Sequence, residues 1–145
     1  MPQINEFFTA DHQKLDSLYT AFKKCISFDE SSGVKYFQKF KTQLINHIHW
    51  EESILFPLIE KLNPASMGPT MVMCSEHELI ISLLTRIDKK LQHNDTQSLP
   101  EVDELESILN THNMKEESIL YPMIDKHINE QQLVEVFSAI AIDEA

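Results

Sequence analysis

His47-Ile48-His49-Trp50-Glu51-Glu52-Ser53-Ile54-Leu55-Phe56-Pro57-Leu58-Ile59-Glu60-Lys61 recurs 65 residues later as His112-Asn113-Met114-Lys115-Glu116-Glu117-Ser118-Ile119-Leu120-Tyr121-Pro122-Met123-Ile124-Asp125-Lys126, ungapped and with nine of fifteen positions identical. The same offset lays Asp11-His12 over Glu76-His77, and the apolar Leu15 and Leu18 over Ile80 and Leu83. Each half therefore carries an acid followed by His, then a second His with a Glu four residues further on. Self-similarity at a fixed offset marks a structural unit that packs against its own copy.

Outward from the repeat, apolar spacing and punctuation predict four long amphipathic helices, Ile4 to Ser27, Val34 to Lys61, Pro69 to His93 and Leu99 to His127, with a short fifth near Glu130 to Ile140. Asp29 to Gly33, Asn63 to Ser66 and Asn94 to Ser98 separate them as clusters of turn formers. Ser98 with Glu101 three residues on is a capping-box pattern for the fourth helix. Pro57 and Pro122 have no N–H to offer the carbonyls of Ser53 and Ser118, so both helices are expected to kink or end there. With 145 residues, 2 glycines and 6 prolines, the chain suits one domain and lacks the turns of a barrel or sandwich. The expected fold is all-α, a single domain over residues 1–145: an antiparallel up-down-up-down four-helix bundle with a short C-terminal helix.

In antiparallel neighbours, residues equally far from the turn lie at the same height. The midpoints of His12/His47, His47/His77 and His77/His112 fall at 29.5, 62 and 94.5, each in or beside a turn. All four imidazoles should then share one layer. Glu51 and Glu116 each follow a His by four residues, which puts the carboxylate about 6 Å along the same helix face. Helices two and four run parallel on a diagonal, so these carboxylates can meet across the core. His12, His47, His77, His112, Glu51 and Glu116 are the ligand set of a two-metal site in which each Glu bridges both ions and each ion takes two His. Mixed imidazole and carboxylate suits iron, with manganese or zinc as alternatives.

Other residues carry weaker signals. Asp16, one turn from His12, is read as solvated. Asp11, Glu52, Glu76 and Glu117 either orient metal-bound imidazoles or face water; the pattern leaves both open. His49, His93 and His127 are read as surface residues. Trp50 and Tyr19 are read as core walls near the layer, and Cys74, three residues before His77, as a small buried side chain rather than a redox thiol.

The net charge of −11 repels nucleic-acid phosphates and anionic membrane surfaces. No apolar run approaches the roughly 20 residues that span a bilayer, and Met1 to Ala10 lacks a signal-peptide profile. Two cysteines are too few for a disulfide scaffold, so a cytoplasmic location is expected.

At the residues above, the sequence resembles the hemerythrin-like HHE cation-binding domains across essentially the whole chain. Its nearer resemblance is to the di-iron proteins that repair iron centres. Met67-Gly68-Pro69-Thr70-Met71-Val72-Met73-Cys74-Ser75-Glu76-His77, His112-Asn113-Met114-Lys115-Glu116-Glu117 and the Ile-Leu-Phe/Tyr-Pro continuations carry it. In that family the metal ligands correspond to His12, His47, Glu51, His77, His112 and Glu116. The resemblance implies two non-haem iron ions (Fe2+/Fe3+) with an oxo or hydroxo bridge. The repair proteins generally carry a separate N-terminal domain with a Cys motif, whereas this sequence starts directly with the first bundle helix. Oxygen-carrying hemerythrins are less similar: their third helix supplies a fifth His, and the positions one turn either side of His77 are Met73 and Ile81. Each iron would then be five-coordinate and open to a small molecule. The expected function is binding or reduction of a diatomic ligand, NO or O2, in a nitrosative or oxidative stress response. The alternative is a non-enzymatic module that holds, donates or senses iron for an iron-sulfur protein partner.

Overall fold

The computed structural model describes residues 1–144. Four rods pack into a bundle. The first is α1 (Ile4–Cys25). The second is α2 (Glu30–Trp50), continued through a π-helical turn at Glu51–Leu55 into α3 (Phe56–Leu62). A short 3-10 turn at Pro64–Ser66 leads into the third rod, α4 (Met67–Gln92). The fourth is α5 (Pro100–Lys115), a second π turn at Glu116–Leu120, and α6 (Tyr121–His127). Helix α7 (Glu130–Glu144) closes one end. No helix among the described residues is long and apolar enough to cross a membrane.

The buried stripe of α1 is Ile4, Phe8, His12, Leu15, Tyr19 and Phe22, spaced by three or four residues. That spacing is what places one helix face in a core. The histidine is thus a regular member of the stripe. Above it, Leu15, Tyr19, Phe22, Phe37, Phe40, Leu44, Ile80 and Leu84 belong to one apolar cluster. Below it, Ile4, Phe8, Leu55, Phe56, Met73, Tyr121 and Ile124 belong to another. Complete burial of such side chains contributes about 1.5–3 kcal/mol each. The four histidines lie in the polar layer between the two clusters.

Several expected boundaries move for identifiable reasons. α2 starts at Glu30, not Val34, because Asp29 caps it, accepting from the Ser32 N–H at 3.2 Å and the Ser32 hydroxyl at 2.7 Å. Gly33 is therefore helical, and its role is close approach: a Cβ there would stand 2.8 Å from the Ile26 Cα. The Ser98/Glu101 capping box does not form. Pro100 takes the first helical position with Leu99 as the cap, and the Glu101 carboxylate accepts from Lys90 Nζ at 2.9 Å. The N-terminus of α1 is capped across the bundle, where Asp125 of α6 accepts from the N–H groups of Ile4 and Asn5 at 2.8 and 3.1 Å.

The prolines neither end their helices nor leave a gap. The turn before each widens instead, so that the Phe56 N–H bonds the Glu51 carbonyl and the Tyr121 N–H bonds the Glu116 carbonyl. Each π turn thus lies immediately before a residue with no N–H to donate, and such turns concentrate at functional sites. Both begin at the glutamate of the repeated motif.

Candidate metal centre

His12 comes from α1, His47 from α2, His77 from α4 and His112 from α5, and the two glutamates head the π turns. All six side chains are buried, the imidazoles 1–5% exposed and the carboxylates fully enclosed. The structure brings together every residue in the expected ligand set. The His12 and His47 rings stand 4.6 Å apart and the His77 and His112 rings 4.8 Å apart, making two pairs.

Each imidazole is held from outside by a carboxylate. Nδ1 of His12 pairs with Glu117 at 2.8 Å, and those of His47, His77 and His112 pair with Asp11, Glu52 and Glu76, each at 2.7 Å. The four acids whose role the sequence left open therefore all orient histidines, and they do so with the symmetry of the repeat. Lys115 grips the other oxygen of Glu76 at 2.6 Å. An imidazole that donates Nδ1–H to a carboxylate keeps its Nε2 lone pair for a metal.

The Nε2 atoms point inward onto the two glutamates. Glu51 spans the layer, with Oε1 3.1 Å from His77 Nε2 and Oε2 3.6 Å from His47 Nε2. Glu116 Oε1 lies between the pairs, 3.2 Å from His12 Nε2 and 3.3 Å from His112 Nε2. Donor atoms converge into two groups that could each hold an ion: Glu51, His77, His112 and Glu116 in one, His12, His47 and Glu116 in the other.

Among the described residues, Glu51 Oε1, His77 Nε2 and Glu116 Oε2 are buried without any hydrogen-bond partner. Glu51 Oε1 and His77 Nε2 are close enough to bond but not aligned for it. Orphaned buried polar atoms cost roughly 1–3 kcal/mol each, and more when charged. All three belong to residues of one donor group, Glu51, His77, His112 and Glu116, that could hold a cation.

Without a cation the layer balances itself by protonation. Burial disfavours a charged His47, but the Glu51 charge close by and the hydrogen bond to Asp11 outweigh it and raise its pKa to about 10. His112 is likewise opposed by burial yet raised to about 9 by its hydrogen bond to Glu116 and the charges of Glu116 and Glu51. For Glu51, burial acts upward, while the His47 charge and neighbouring hydrogen bonds hold its carboxyl well below the usual range. Metal binding at these imidazoles would displace their protons.

One residue in the layer lay outside the sequence expectations. The Tyr121 hydroxyl, fully buried, stands 2.6 Å from Glu51 Oε2, 3.0 Å from Glu116 Oε1, and 3.3 Å from Nε2 of both His12 and His47. Its repeat partner Phe56 instead stacks on His77, centroids 6.1 Å apart and planes 5° from parallel.

The remaining residues sit at the margins. Trp50 is buried, but its indole N–H bonds Asp143 of α7 at 2.8 Å, away from the layer. Tyr19 donates to the Val102 carbonyl at 2.7 Å. Asp16, His49, His93 and His127 are exposed. Cys74 is half-buried, and burial together with Glu52 pushes its thiol up to about 11, so it is no ready thiolate. A cavity of about 290 Å³ reaches His12 between α1 and α5, with Leu15, Tyr19 and Leu44 on its walls and Asp16, Asn113 and Glu117 on its polar side.

The family model for the hemerythrin HHE cation-binding domain matches residues 3–124. A hemerythrin-like protein of Schizosaccharomyces pombe is 26% identical over 140 residues, covering 96% of this chain and 68% of the relative. No solved structure matches the chain.

Proposed function

From the premise that the chain belongs to the hemerythrin HHE cation-binding family, we propose that it is a non-haem di-iron protein that binds or reduces NO or O2 in a nitrosative or oxidative stress response. His12 and His47 would hold one ion, His77 and His112 the other, with Glu51 and Glu116 bridging; manganese or zinc are the alternative metals. When bound there, the iron pair supplies redox electrons and coordination positions for a diatomic molecule.

The observation that carries this reading is the inward-facing set of four Nε2 atoms and two buried carboxylates, with three polar atoms left unpartnered. The chain's own residues do the rest. Asp11, Glu52, Glu76 and Glu117 aim the imidazoles, and the two apolar clusters exclude bulk water. The cavity beside His12 gives a small molecule its approach. Enclosure of the donors on four separate rods favours retention of iron over its donation to an iron-sulfur protein partner.

Stopped-flow mixing of the reduced, iron-loaded protein with NO and with O2 tests the reading. A rapid spectral change with at least one of them is expected, and silence with both would remove it. Iron lost within seconds to a weak chelator would favour the iron-donating role instead.

A further inference from the structure

We propose that Tyr121 is a further metal ligand, binding through Oη as a phenolate to the ion held by His12 and His47; this rests on the reading that the layer holds a metal pair. Two ligand atoms each about 2.1 Å from one ion and at right angles to each other stand about 3 Å apart. Tyr121 Oη lies 2.6, 3.0, 3.3 and 3.3 Å from Glu51 Oε2, Glu116 Oε1, His12 Nε2 and His47 Nε2. It neighbours all four donor atoms at the spacing of adjacent vertices around one centre. The hydroxyl donates to Glu51 and stands at hydrogen-bond distance from both imidazole nitrogens, so one oxygen sits at the meeting point of all four groups.

The backbone explains how the residue arrives there. Tyr121 follows Glu116 by five positions, which in an α-helix would turn it about 140° from the glutamate's face. The π turn at Glu116–Leu120 carries more residues per turn and closes much of that angle. The ring packs against Phe8, centroids 5.3 Å apart, in the apolar cluster below the layer. The opposite half has the same π turn but Phe56 in the equivalent place, and two unpartnered atoms, Glu51 Oε1 and His77 Nε2, lie 3.1 Å apart on that side. The two ions would thus differ: one bound by an additional hard oxygen donor, the other without it. Coordination breaks the phenol O–H bond, and its proton leaves to solvent as the oxygen–metal bond forms.

The chain's three tyrosines make the test specific, because Tyr19 is bonded to Val102 and Tyr36 is exposed on the outside of α2. Protein loaded with iron and oxidised is examined by metal analysis, visible absorption and resonance Raman spectroscopy, with and without ring-deuterated tyrosine. The expected result is about two irons per chain, a phenolate-to-iron charge-transfer band, and enhanced ring modes that shift on deuteration and vanish in Tyr121→Phe. Bound iron without phenolate modes in the wild-type protein would overturn the proposal while leaving the metal reading intact. Absence of bound iron would overturn both.

Discussion

The His12/His47 half of the layer and the His77/His112 half grow from one repeated sequence, yet at one aligned position beside the inward-facing donor atoms they carry Tyr121 against Phe56. In the first half a phenol hydroxyl meets two carboxylates and two imidazoles. In the second a phenyl ring stacks on His77, and the nearby donors are left without partners. The orienting acids remain paired: Asp11 matches Glu76 and Glu117 matches Glu52 in the histidine each holds, although Lys115 also grips Glu76 while its aligned counterpart Trp50 bonds Asp143. Duplication thus preserves the scaffold that aims the histidines, while one side chain makes the two positions chemically unequal.

Removing the metal should affect both halves most. Chelation at neutral pH is expected to lower stability by up to about 10 kcal/mol, seen as a large fall in melting temperature. An unchanged melt would contradict metal binding in either half. Glu116→Ala comes next, because Glu116 Oε1 touches a histidine of each pair. It should reduce metal content in both halves together and cost the metal-free protein about 3–5 kcal/mol in denaturant titrations, since it breaks a buried charged contact. Loss of only one ion would show that Glu116 does not bridge.

The orienting acids give a matched test. Asp11→Asn and Glu76→Gln should each weaken metal affinity about 10–100-fold in chelator competition. A large effect from one and none from the other would mean that only one half depends on its orienting acid. At position 121 and its counterpart, the signs should oppose in the metal-free protein. Tyr121→Phe leaves Glu51 Oε2 without its donor and should cost about 1–3 kcal/mol, whereas Phe56→Tyr offers a donor to orphaned acceptors and should gain up to about 1 kcal/mol.

The smallest effect is a pH dependence that separates the halves. The metal-free pKa values of about 10 for His47 and about 9 for His112 lie above the ordinary histidine value of 6.5. Their stabilisation is therefore complete below about pH 6.5 and is lost as pH rises through the folded values. The metal-free protein should soften above neutrality, the His112 contribution fading before that of His47. Metal uptake near pH 7 should release protons, detectable with an indicator dye in weak buffer. Uptake without release would show that these rings are neutral beforehand.

The bundle was legible because its signal is periodic. Histidines at positions that pair across three turns, on stripes of three- and four-residue spacing, could share a layer only in an up-down-up-down arrangement. The helix joints were less legible: Pro57 and Pro122 read as kinks or ends, and the structure shows a π turn ahead of each with helix continuing beyond it. That same local widening hid Tyr121, which a period of 3.6 places off the ligand face. A tyrosine five residues beyond a ligand glutamate and directly before a proline is the signal that would have found it. Asp11, Glu52, Glu76 and Glu117 stayed ambiguous for another reason, since each reaches a histidine on a different rod and sequence spacing does not report such contacts.

Metal analysis of protein purified without added metal tests the central claim most directly. Two metal ions per chain, predominantly iron, falling sharply in both His47→Ala and His77→Ala, is the predicted result. Protein that is folded, carries no stoichiometric metal and takes none up when iron is supplied would contradict it.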